Sequence, residues 1–221
     1  MSAMAQTSSL ENIVIVYMDL ETTSLDTKKA EIIEIAAIVD THSKQSMDAM
    51  WPKSMPKPVS EFSSFVCPVS KCIPECASKV NGIQYADVEY EDGFASTGRR
   101  FFDWLSLMKR HGTTAGSQIV LVAHNNHAYD GPVLRQQCKA HKVNIPTFVV
   151  MLDSLPAFKQ CFPFPGRKFS LQCLADLWLK KSKVEQDHRA LSDVRLLIAV
   201  IENCPDPTEF MSCLVEQQRK T

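Results

Sequence analysis

Apolar residues in this chain fall into two rhythms. Short dense runs rich in β-branched residues predict buried strands at Ile13–Asp19, Glu31–Asp40, Phe62–Val66, Ile119–Ala123 and Phe148–Leu152. The first run closes at a polar turn, Glu21–Ser24. Apolar positions three or four apart predict helices. Asp92–Arg110 carries Phe94, Phe101, Leu105 and Met108 at that spacing, and Asp130–His141 carries Val133, Leu134, Gln137 and Cys138. Ala190–Asn203 has an inner stripe of Ala190, Val194, Leu197, Ile198 and Ile201. Shorter helices are expected at Ser154–Cys161, at Pro207–Gln218, and from the cap Ser170 through Leu179. The stretch Lys44–Ser60, with Pro52, Pro56 and Pro58, reads as a mobile connection, and Gly112–Gly116 as a loop. Three strands followed by alternating helices and strands predict an α/β domain with a mixed central sheet flanked by helices. Residues 1–11 are expected to be a flexible N-terminus and 12–221 a single domain.

Composition narrows the class without choosing the chemistry. At 221 residues, 45% hydrophobic and 22% charged, the chain has enough apolar material for one sizeable core. No apolar run is long enough to span a bilayer, and the polar N-terminus lacks the pattern of a secretory signal. Of the eight cysteines only Cys67, Cys72 and Cys76 cluster, at a spacing that fits no common zinc pattern; the thiols are expected to be reduced, in a cytoplasmic or nuclear protein. A net charge of −1 argues against coating nucleic acid through bulk electrostatics. It leaves room for an enzyme that holds a few phosphates with the help of metal ions.

Acidic residues supply the candidate chemistry. Asp19 and Glu21 are two apart on a strand, so both carboxylates share a face. Asp130 begins a helix directly after the strand ending at Ala123, and Asp193 lies in the first turn of the helix from Ala190. His188, five residues before Asp193, cannot share its helical face and must sit on the preceding loop. Four crowded carboxylates call for cations, and oxygen ligands suit Mg²⁺ or Mn²⁺. Two such ions about 3.5–4 Å apart can stabilise both the attacking and the leaving oxygen at a phosphate. Histidine, which titrates near neutrality, suits a general base there.

Taken in order, Asp19/Glu21, Asp130 and His188/Asp193 resemble the three motifs of the DEDDh 3′→5′ exonucleases. Within that family the likeness is to the three-prime repair (TREX) branch. It rests on Val122-Ala123-His124-Asn125 followed after three residues by Tyr129-Asp130, and on Ile73-Pro74, Ala77-Ser78 and Gly82-Ile83. The resemblance implies a ribonuclease-H-like fold. It also implies two Mg²⁺ ions, replaceable by Mn²⁺, on Asp19, Glu21, Asp130 and Asp193, with His188 as general base. Leu25 and Ile83 would wedge against terminal bases of single-stranded DNA or RNA, and Tyr129 would lie near the scissile phosphate. Glu21, Thr22, His124 and Asn125 would complete the substrate contacts. Some such relatives are homodimers through a sheet edge. A catalytically silent nuclease-fold platform for nucleic acid or protein is the alternative. Two positions depart from the pattern: Ser24 stands where glycine is usual, and Ala128 where a basic residue is common. Further phosphate-binding candidates are Arg167, Lys168, Lys180, Lys181 and Lys183.

Overall fold

The computed structural model describes residues 13–40, 59–112, 118–164, 166, 168–179 and 188–218. The expected N-terminal tail, most of the Lys44–Ser60 connection, residues 113–116 of the expected loop, and Arg167, Lys180, Lys181 and Lys183 lie outside these residues. Five strands form one mixed sheet: β1 Ile13–Thr22, β2 Ile32–Val39, β3 Glu61–Phe65, β4 Gln118–Ala123 and β5 Val149–Asp153. Their spatial order is β3-β2-β1-β4-β5. The β1–β2 and β2–β3 pairs are antiparallel, whereas β1–β4 and β4–β5 are parallel.

The helices, numbered along the chain, are α1 Glu75–Asn81, α2 Tyr85–Val88, α3 Phe94–Gly112, α4 Asp130–Ala140, α5 Ser154–Cys161, α6 Leu171–Trp178, α7 Ala190–Asn203 and α8 Pro207–Gln218. The pleat of β1 divides the core. Val14, Val16, Met18 and Leu20 face Phe94, Phe101, Leu105 and Met108 of α3 and Val133 and Leu134 of α4. Ile15 and Tyr17 face the opposite layer, with Phe158 of α5, Val194 and Leu197 of α7 and Phe210 of α8. Each layer seals one side of β1 and β4, which accounts for their near-continuous apolar sequences. Among the described residues no helix is long and apolar enough to cross a membrane.

Two differences from the sequence expectations bear on the site. Strand β1 does not stop at Asp19; it pairs with β2 through Thr22, and the register shifts only between Glu21 and Thr22. The acids at its end remain in the ladder because their neighbours Leu20 and Thr22 are buried. The short helices α1 and α2 also appear, too brief to show a helical period in sequence. Gly82 ends α1 with φ 70°, a left-handed cap at which its N–H donates to Ser78 O at 2.8 Å.

Candidate active site

The odd-numbered positions of β1 decide where the acids go. Ile15 and Tyr17 lie under α7 and α8, and the same alternation carries Asp19 and Glu21 out on that face as the strand ends. Helix α7 crosses this face and brings Asp193 from its first turn. Carboxylate oxygens of Asp19, Glu21 and Asp193 all lie within 4.8 Å of one another. Asp130, 3% exposed, starts α4 on the neighbouring strand's connection and reaches Asp19 electrostatically. Asp193 is 5% exposed.

Burial and crowding raise the proton affinity of Asp19, Glu21 and Asp130. Burial, and then the charges of Asp130, Glu21 and Asp193, push Asp19 well above the usual carboxylate range. Burial and then Asp193 push Glu21 up to about 8, against a hydrogen bond from Asn81 that lowers it. Asp130 rises to about 7, chiefly through burial and partly through Asp153. The side-chain oxygens converge, and burial with mutual repulsion makes Asp19, Glu21 and Asp130 release their protons less readily than free carboxyls. That donor set fits hard divalent cations.

His188 stands on the loop before α7 with φ 50°, its Nδ1 4.0 Å from Asp193 Oδ2 and its side chain partly exposed. The chain beside it is clamped. Arg189 donates from Nε and Nη2 to the two oxygens of Glu34 on β2, at 3.1 and 3.0 Å. The N–H of Ala190 donates to Glu34 Oε2 at 3.1 Å. Glu34 is the cross-strand partner of Glu21, so this ion pair also relieves a like-charge pair in the ladder. Sequence reasoning missed Glu34, Arg189 and Asn81. Their partners are remote in the chain, and only the tertiary fold reveals them.

The connection from β4 to α4 is tied equally closely. Asn126 Nδ2 donates to Leu152 O at 2.7 Å, and the His127 N–H to Asp153 Oδ2 at 2.9 Å. Asp153 also caps α5 by accepting from Leu155 N at 2.9 Å. Tyr129 donates its hydroxyl to Ser24 O at 2.8 Å and shares a hydrogen bond with Thr22 Oγ1, joining the second motif to the first. Ser24 has no positive φ, so its turn demands no glycine.

The expected substrate residues divide into two cavities. Glu21, Thr22, Leu25, Val80, Asn81, Tyr129 and His188 line one of about 390 Å³. Leu25 is 88% exposed and Val80 56%, which offers an apolar pair to a flat ring. Ile83 corrects the expectation. It is 1% exposed and packs with Ile33 and Val88, because the left-handed turn at Gly82 drives it into the core. A second cavity, about 530 Å³, is lined by Asp19, Asn125, Lys159, Lys168 and Phe169 among others. His124 borders it too, but its Nδ1 meets Ser154 Oγ at 2.8 Å and its Nε2 meets Phe169 O at 2.7 Å. Burial lowers its pKa, and the neutral ring serves as a strut for the Phe169 segment rather than as a free donor.

Fold and acidic centre together define a nuclease of the ribonuclease-H-like class. The chain belongs to the exonuclease (RNase T) family, whose model matches residues 16–201. It is 28% identical over 207 residues to exonuclease DPD1, chloroplastic/mitochondrial, of Arabidopsis thaliana, covering 90% of this chain and 58% of that protein. Human three prime repair exonuclease 2 is 26% identical over 149 residues, 65% of this chain and 60% of that one. The chain thus spans about three-fifths of the length of these curated relatives. In fold it is similar to the nuclease domain of 3′hExo, a DEDDh family member bound to rAMP. That match has a TM-score of 0.64 at 18% identity, over 85% of this chain and 88% of that one. It is also similar to the E. coli ExoI–ssDNA complex in its zinc-bound form, with a TM-score of 0.66 at 15% identity, over 90% of this chain and 42% of that one.

Proposed function

We propose that this chain is a 3′→5′ exonuclease that releases nucleoside 5′-monophosphates one at a time from single-stranded DNA or RNA, with two divalent cations, Mg²⁺ or Mn²⁺. The observation that carries this reading is the convergence of Asp19, Glu21 and Asp193, with Asp130 buried beside them and His188 at the rim. Asp19, Glu21, Asp130 and Asp193 would hold the ions. When bound, these would neutralise charge at the scissile phosphate and ease ionisation of the attacking water.

The chain's own groups do the rest. His188, its side chain partly exposed beside Asp193, accepts the proton of the attacking water. Leu25 and Val80 stack against the terminal nucleotide in the first cavity, while Thr22 and Tyr129 hold that wall rigid through their shared bond. The second cavity, entered past Asp19, suits the strand that remains. Lys159 and Lys168 offer charge to its phosphates and Phe169 a stacking face, taking the part that Ala128 cannot. Support for this path comes from β1, which puts Asp19 in one cavity and Glu21 in the other.

The test uses 5′-labelled single-stranded DNA and RNA of matched sequence, with Mg²⁺, with EDTA, and with the Asp193→Asn protein. A ladder shortening from the 3′ end only with wild type and metal is expected, and the faster strand identifies the substrate. His188→Ala should cut turnover sharply while strand binding persists. Binding without cleavage by wild type would turn the reading towards a silent nucleic-acid platform.

A further inference from the structure

A second group of metal-ligating side chains lies where α8 packs on α5. The two helices are locked by Phe158 and Phe210, whose ring centroids are 4.4 Å apart. Glu209 and Cys213 are four residues apart on α8 and so share a face, and Cys161 closes α5 opposite them. The Cys161 thiol donates to the Glu209 carbonyl oxygen at 3.6 Å, and the Cys213 thiol to Glu209 Oε1 at 3.8 Å. The two sulfurs and a Glu209 carboxylate oxygen all lie within 4.8 Å of one another. Among the described residues no lysine or arginine forms an ion pair with Glu209.

We propose that Cys161, Glu209 and Cys213 form a second cation site, specific for a soft divalent ion such as Zn²⁺ and separate from the nuclease centre. Tetrahedral zinc with Zn–S near 2.3 Å and Zn–O near 2.0 Å requires S···S edges of about 3.8 Å and S···O edges of about 3.5 Å. The 3.8 Å between Cys213 Sγ and Glu209 Oε1 is already close to that value. Cys213 is buried, Cys161 half-buried and Glu209 exposed, so the carboxylate side provides entry and leaves the fourth corner to water. Thiolates select zinc over the Mg²⁺ that suits the all-oxygen centre. Binding forms two metal–sulfur bonds and one metal–oxygen bond, and releases the two thiol protons to solvent. The eight residues of α5 separate Cys161 from the catalytic edge of the sheet by about 12 Å.

Titration of the reduced full chain with Co²⁺ tests this directly, because a cobalt–thiolate bond adds a charge-transfer band in the near ultraviolet that carboxylate ligation lacks. The band should reach the same final amplitude in wild type and in Asp193→Asn, and Zn²⁺ should erase it. Cys161→Ser, Cys213→Ser and the exposed Glu209→Gln should each weaken Co²⁺ binding at least about tenfold, as losing even an outer ligand partner does. Glu209→Gln keeps the test sound if burial makes Cys213→Ser unstable. No thiolate band in Asp193→Asn overturns the proposal, as does a band that survives in both cysteine variants.

Discussion

Glu21 offers the sharpest test of the electrostatics. In the metal-free protein its carboxyl is pushed from 4.5 up to about 8, first by burial and then by Asp193. A carboxyl with a raised folded-state pKa keeps its proton in the folded protein while the unfolded chain releases it. Stability therefore falls as pH rises from the unfolded value to the folded one, by about 1.4 kcal/mol per unit. Between pH 4.5 and about 8 the loss is on the order of 4–5 kcal/mol for this group, and above pH 8 it is complete. Glu21→Gln removes the ionisation and keeps the shape. In urea denaturation with EDTA, the variant should match wild type near pH 4.5 and exceed it by roughly 3 kcal/mol or more at pH 8.5. Adding Mg²⁺ at pH 8.5 should stabilise wild type and close most of that gap, because the ion binds the folded, ionised site. A difference independent of pH, or a variant no more stable than wild type at pH 8.5 in EDTA, would mean that the folded protein does not raise the proton affinity of Glu21.

The same proton inventory makes metal binding pH-dependent. Asp130 at about 7 and Glu21 at about 8 must give up protons, so calorimetry in buffers of different ionisation heat should show proton release, with Mg²⁺ affinity rising from pH 6 to 8. Arg189→Ala would leave buried Glu34 without its bidentate partner and cost about 3 kcal/mol in thermal or urea melts. It should also lower kcat by freeing the His188 loop, and Arg189→Lys should not restore either loss, since a lysine cannot fork. Gly131→Ala would put a methyl 3.0 Å from Asn126 O and 3.1 Å from Asn126 Oδ1. Overpacking the residue after Asp130 should cost about 1–3 kcal/mol in a urea melt and weaken metal affinity.

What is legible in the sequence is whatever repeats locally. The period of two along β1 is enough by itself to put Asp19 and Glu21 on one face, and the boundaries of α5, α7 and α8 follow from caps and apolar stripes. Asp130 and Asp193 can be placed because each lies in the first turn of a helix whose inner stripe is plain. The illegible part is long-range. Glu34 and Arg189 are 155 residues apart, and nothing in either segment marks them as partners until the antiparallel register sets Glu34 opposite Glu21. Ile83 misleads for a related reason. As an apolar residue at a motif position it reads as a base contact, yet the backbone turn at Gly82 decides which way it points, and Val80, just before that turn in α1, takes the exposed place. The acids thus follow from the fold's periodicities, whereas their poise depends on contacts between segments. Substitutions at Asp19, Glu21, Asp130 or Asp193 should therefore act on metal binding itself. Those at Glu34, Arg189, Asn81 or Asp153 should act on the geometry and proton affinity of a site that still binds metal.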